Sequence, residues 1–197
     1  MGAITVGSEA IDRASSLSLR AALDDPPLAV DQTVVSGVAA AQAGIITSVQ
    51  AYLSQADAGN SLKAGTFHAV GNVLTCVSAV ELGEGSVGLN TWSSLVLPIA
   101  AGDYIGIDAR VEADTYIDVG TSGGSGAWVK TGQYCDVDDS ATFTLQSGYT
   151  ISLYGVGATS YCRVKLAPQD PYAVSLAPTT PYEVTVAPSA PYVVTIL

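Results

Sequence analysis

LKAGTFHAV-GN-VLTCVSAVEL, residues 62–82, is the stretch that decides the fold class. Its two runs, Leu62–Val70 and Val73–Leu82, alternate apolar and polar side chains with the period of two that belongs to a strand. Only Gly71-Asn72 separates them. A Gly-Asn pair between alternating runs is a hairpin signal, because both residues tolerate the left-handed backbone of a two-residue turn. The stretch predicts two antiparallel strands.

The pattern continues on both sides. Upstream, GIITSVQAYL (Gly44–Leu53) is a strand whose alternation puts Ile45, Val49, Ala51 and Leu53 on the core face. Leu28–Val38 alternates in the same way, Ala3–Val6 is a first short strand, and Asp24-Asp25-Pro26-Pro27 breaks the chain between them. Downstream, Gly83–Asn90 reads as a loop, and strands are expected at Ser94–Ile99, Tyr104–Asp108, Thr115–Val119, Ala127–Lys130, Ala141–Leu145, Tyr149–Val156 and Tyr161–Leu166. Short strands about every ten residues, Gly-rich turns and no long helical pattern predict an all-β protein. The expected architecture is an antiparallel β-sandwich of jelly-roll type.

Composition agrees with this class. Of 197 residues, 48% are hydrophobic and 13% charged, enough for one buried core, and 20 glycines supply turns. The formal charge is −11, from 18 acidic and 7 basic side chains. Such a surface repels phosphate backbones and anionic lipid, so neither nucleic acid nor membrane is expected as a partner. No apolar run reaches the roughly 18–20 residues that span a bilayer. The first twenty residues lack the basic flank and apolar core of a signal peptide, from which synthesis in the cytoplasm is expected. Cys76, Cys135 and Cys162 have no metal-type spacing and read as reduced core thiols; Cys135 with Cys162 is the one pair worth testing for a bridge.

From Leu166 the chain changes character. LAPQDPYAVS, LAPTTPYEVT and VAPSAPYVVT follow one another, closing on Ile196 and Leu197. A body at 1–165 and a repetitive β extension at 166–197 are therefore expected. Because the period is even, the extended runs return Tyr172, Val174, Leu176, Tyr182, Val184, Val186, Tyr192, Val194 and Ile196 to one face. Prolines 168, 171, 178, 181, 188 and 191 interrupt pairing at fixed intervals. Two geometries fit: the spacers reverse the chain into a small meander, or they continue it and each run pairs elsewhere. An apolar, aromatic stripe of this kind calls for a partner surface, so these nine residues are expected to form intersubunit contacts.

Strings with chemical meaning elsewhere lack their context. Gly83-Glu84-Gly85-Ser86-Val87-Gly88 has the spacing of a dinucleotide fingerprint, yet no helix is expected after it and Glu84 would face the phosphates. Gly120-Thr121-Ser122-Gly123-Gly124 has the spacing of a nucleophile elbow, again without a helix, and His68 is the chain's single histidine. His68 reads as a strand histidine with satisfied hydrogen bonding. Asp136, Asp138 and Asp139 gather hard oxygens in one loop, the donor set that calcium takes, although an acidic turn in water reads the same way. Trp92 and Trp128, with Tyr104, are candidate flat faces for stacking on a glycan. With little His, Lys or Arg for acid–base work, no enzyme is expected and no cofactor beyond calcium.

Glu9–Arg13, Gly44–Val49, Ala101–Ile107 and Gly120–Trp128 resemble an uncharacterised jelly-roll-like β-sandwich family found among phage and environmental bacterial sequences, often near virion genes. The resemblance covers about Ile4–Gly157 and leaves the repeat out. It implies a virion-associated role. The reading that follows is a structural, self-assembling protein: a phage virion component of decoration, fibre or tail-associated type, made in the host cytoplasm, or an extracellular filament subunit. Its partners would be copies of itself and other virion proteins. The alternative is a carbohydrate-binding or adsorption module.

Overall fold

A computed structural model describes residues 3–7, 32–56, 58–109, 115–120 and 123–158, and four short strands after them. No helix occurs among the described residues; every regular element is a strand. In chain order these are β1 (Ala3–Gly7), β2 (Gln32–Ser36), β3 (Gly44–Gln55), β4 (Leu62–Val70), β5 (Val73–Gly83) and β6 (Gly88–Ile99). They continue with β7 (Tyr104–Ala109), β8 (Tyr116–Ile117), β9 (Val119–Gly120), β10 (Ala127–Thr131), β11 (Ser140–Thr142) and β12 (Thr144–Gln146). The last are β13 (Thr150–Ile151), β14 (Leu153–Ala158), β15 (Cys162–Lys165), β16 (Ala173–Leu176), β17 (Tyr182–Thr185) and β18 (Val193–Ile196).

The predicted hairpin is β4 and β5, paired antiparallel from Leu62↔Gly83 to Val70↔Val73, with Gly71 at the tip in the left-handed region (φ 61°). It lies inside a seven-stranded antiparallel sheet of order β11-β5-β4-β7-β2-β10-β12. The two edges of that sheet are β11 and β12, and Phe143 alone stands between them in the chain. A connection of one residue spans only a few ångströms. The sheet must therefore curl until its edges nearly meet, which makes a barrel-like layer and leaves little edge for foreign strands.

Inside this curl sits one of two apolar clusters: Val35, Phe67, Leu74, Cys76, Trp128, Cys135 and Phe143. Phe67 and Phe143 meet edge to face at 6.0 Å, and Tyr134 meets Phe143 at 5.8 Å. Gly65 and Gly106 are register partners on β4 and β7. A methyl group on Gly106 would lie 2.6 Å from Phe67 Cε2 and 2.7 Å from Val35 Cγ2, so the bare backbone there is what admits the ring.

The second layer is β1-β14-β3-β6, with β8 on the end of β3. It packs on the outside of the curled sheet through the larger cluster, which includes Ile4, Val6, Ile46, Val49, Leu53, Leu62, Leu97, Ile105, Ile107 and Leu153. Val49, Ala51 and Leu53 face this core as the alternation predicts, but Ile46 is buried in place of Ile45. The register slips between Ile46 and Ser48 against β6, and an extra residue in a strand exchanges its two faces. β6 also begins earlier than expected, at Gly88, so Trp92 belongs to a strand.

Beyond Ala158 the pairing changes to parallel. β15 pairs with β17 from Cys162↔Tyr182 to Lys165↔Thr185, and β16 pairs with β18 from Ala173↔Val193 to Leu176↔Ile196. Each run is matched to the run twenty residues on, and not to its immediate neighbour. The antiparallel meander is therefore not the geometry of these strands. β15 is also a run that the three-unit reading left out: Val164, Leu166, Ala167 and Pro168 stand ten residues before Val174, Leu176, Ala177 and Pro178, with Cys162 in the place of Tyr172.

Candidate functional site

The carboxylates that suggested calcium lie in the segment joining β10 to β11, in a turn held by backbone hydrogen bonds and by one oxygen each of Asp136 and Asp139. Asp139 N–H donates to the Asp136 carbonyl at 3.0 Å, closing a tight turn in which Asp138 adopts a left-handed backbone (φ 73°). Asp139 Oδ2 accepts from Asp136 N–H at 3.2 Å. The turn is docked on β5: Cys76 N–H donates to the Asp139 carbonyl at 2.8 Å, and Asp138 N–H to the Cys76 carbonyl at 2.9 Å.

Lys63 then fixes the turn from β4. Its Nζ lies 2.6 Å from Asp136 Oδ1 and 3.1 Å from Glu81 Oε1. Cation and carboxylates already neutralise one another there, so an incoming divalent ion would compete with Lys63 for Asp136. No group of three or more His, Cys, Asp or Glu side chains disposed to hold a metal occurs among the described residues.

Of the three aromatic residues expected to form a glycan platform, two share one cluster and the third borders the other. Trp128 is 9% exposed and packs inside the curled sheet; Tyr104, half-buried, touches the same cluster. Trp92 is half-buried against the other core. Trp128 and Tyr104 thus belong to one cluster and Trp92 borders the other, so the three rings do not make up a single aromatic group.

Two groupings escaped the sequence reading because their members are far apart in the chain. His68 Nδ1 lies 2.9 Å from Asp103 Oδ1, and Asp103, almost fully buried, also accepts from Ala100 N–H through Oδ2 at 3.2 Å. The imidazole itself is 61% exposed. This pair ties β4 to the turn before β7, and no third nucleophilic group completes a hydrogen-bonded triad with it among the described residues.

Cys76 and Cys135 are the second grouping, both buried thiols outside any disulfide. Cys135 converges with Cys76 above Gly65: a methyl on Gly65 would be 3.0 Å from Cys76 Sγ and 3.4 Å from Cys135 Sγ, while the Cys162 side chain lies outside the described ones. Burial pushes the Cys76 thiol from 9.0 up to about 11, helped by the carboxylates of Asp139, Asp108 and Asp136. Between those values the unfolded thiol ionises while the folded one keeps its proton. The unfolded state then binds fewer protons, so stability is complete below about pH 9 and falls as pH rises towards 11. Urea midpoints measured from about pH 8 to about pH 11 are expected to drop more steeply for the parent protein than for Cys76→Ala. Equal slopes would show that this thiol carries no such linkage.

The remaining strings keep their structural reading. Strand β6 follows Gly83–Gly88 with no helix, and Gly85 is clamped by Asn60, which accepts from Gly85 N–H at 2.8 Å and donates to its carbonyl at 2.9 Å. Gly120 ends β9, while 121 and 122 lie outside the described residues, as do residues 9–13. Of the nine tail positions expected at an interface, Val174 and Leu176 fall on β16, Tyr182 and Val184 on β17, and Val194 and Ile196 on β18. Tyr172, Val186 and Tyr192 lie outside the described residues. No described helix is long and apolar enough to cross a membrane.

Set against known proteins, the chain matches no protein family, no curated protein and no solved structure.

Proposed function

We propose that this chain is a structural, self-assembling protein whose C-terminal decapeptide array makes β contacts between copies. The observation that carries the reading is the pairing of the tail. Its described strands form two separate two-stranded parallel ladders, and each strand has a single partner and one further edge. Two-stranded ladders of four residues are marginal alone, and an unsatisfied row of N–H and C=O groups recruits more strands. The body has the opposite character, with the edges of its larger sheet folded towards each other.

Within that reading, the body is a jelly-roll type of β-sandwich in which one layer has curled, and the assembly is a virion component of decoration, fibre or tail-associated kind, or an extracellular filament. The virion placement rests on the resemblance of Gly44–Val49, Ala101–Ile107 and Gly120–Trp128 to the phage-associated family. Negative-stain imaging of the purified chain tests the proposal. Rings or fibres of uniform width are expected, and a field of single particles of 20 kDa at every concentration would refute it.

A further inference from the structure

We infer that the partner of the tail is the tail of a second copy, stacked in parallel so that β15 of one chain lies along β17 of the next at the same twenty-residue register; this rests on the assembly reading above. Three observations lead there. First, the internal register sets like on like: Val164 opposite Val184, Val174 opposite Val194, Ser175 opposite Thr195, and Leu176 opposite Ile196. A sequence that pairs with its own repeat carries the template for pairing with another copy of that repeat.

Second, the one charged pair in the ladders is complementary. Arg163 on β15 is the register partner of Glu183 on β17. Opposite charges at facing strand positions favour a pairing and like charges oppose it. When β15 of a second chain is laid on the outer edge of β17 in the same register, an arginine again falls beside Glu183. Any one-residue slip removes that match.

Third, each ladder is only two strands deep, whereas repeat arrays need about three units before stacking offsets the entropy of ordering them. A second copy supplies the missing depth. Because the upper edge of one chain meets the lower edge of the next, the contact is head-to-tail, and it generates a ring or an open fibre.

Charge reversal tests the register in the full-length chain. Glu183→Arg and Arg163→Glu each place like charges at both the internal and the intermolecular position. Each is expected to weaken assembly at low salt about tenfold in apparent dissociation constant. Mixing the two variants restores opposite charges between chains but not within them, so the equimolar mixture is expected to assemble at least tenfold better than either alone. Unchanged far-ultraviolet circular dichroism and melting of the body would show that the variants fold. Single variants that assemble like the parent, or a mixture no better than its components, would overturn the inference while leaving assembly by the parent chain in place. A parent chain that stays monomeric would overturn both.

Discussion

Phe67→Ala is expected to lower the free energy of unfolding by about 3–5 kcal/mol, the usual cost of emptying a buried phenylalanine site. Phe67 has no exposed surface, and its ring lies against Gly65 of β4 and Gly106 of β7, where a methyl group would come within 3.1 and 2.6 Å of Cε2. Its partner Phe143 is the single residue joining the two edges of the curled sheet, so the cavity opens where that sheet closes. Neighbours cannot collapse into the space easily, because Trp128 is held on β10 and the Cys135 N–H is fixed to Asp108 Oδ2 at 2.9 Å. In a domain of this size the loss corresponds to a fall in melting temperature of about 10 °C. Thermal unfolding followed by calorimetry measures it; a shift of under about 2 °C would mean that the ring is not the keystone of that layer.

Removal of residues 167–197 is expected to produce the largest functional change and almost no change in the stability of the body. Among the residues whose side chains are described, both apolar clusters lie between Ile4 and Leu153; β16 pairs with β18 inside the removed segment, and β17 pairs with β15, at Cys162–Lys165, which the truncated chain keeps. The truncated chain should melt within about 2 °C of the parent's body transition while losing the capacity to assemble. A large drop in melting temperature would instead make the tail part of the body's fold.

Much of the body was legible in the sequence because its signals are local. Alternation and the Gly71-Asn72 turn identify β4 and β5, and the decapeptide period marks the tail. What was not legible depends on contacts between distant residues. A bulge at Ile46–Ser48 exchanges the faces of β3, so Ile46 and not Ile45 meets the core. The curl follows from one residue, Phe143, placed between strands that pair at opposite edges, and no periodicity signals that.

The candidate sites fared differently again. That Lys63 of β4 stands beside Asp136, and that the sheet closes round Trp128, could not be read from the residue types. Burial and ion pairing are properties of the fold, and residue type alone carries neither. In the tail the period was plain, but a ten-residue repeat fits pairing at ten or at twenty residues equally well. Only the register Val164↔Val184 and Val174↔Val194 distinguishes them.

Sedimentation velocity of the full chain and of the chain ending at Leu166, run side by side over a hundredfold range of concentration, tests the central claim most directly. The account predicts that the full chain sediments as a large, concentration-dependent species and the truncated chain as a monomer throughout. Identical sedimentation of the two at every concentration would contradict it.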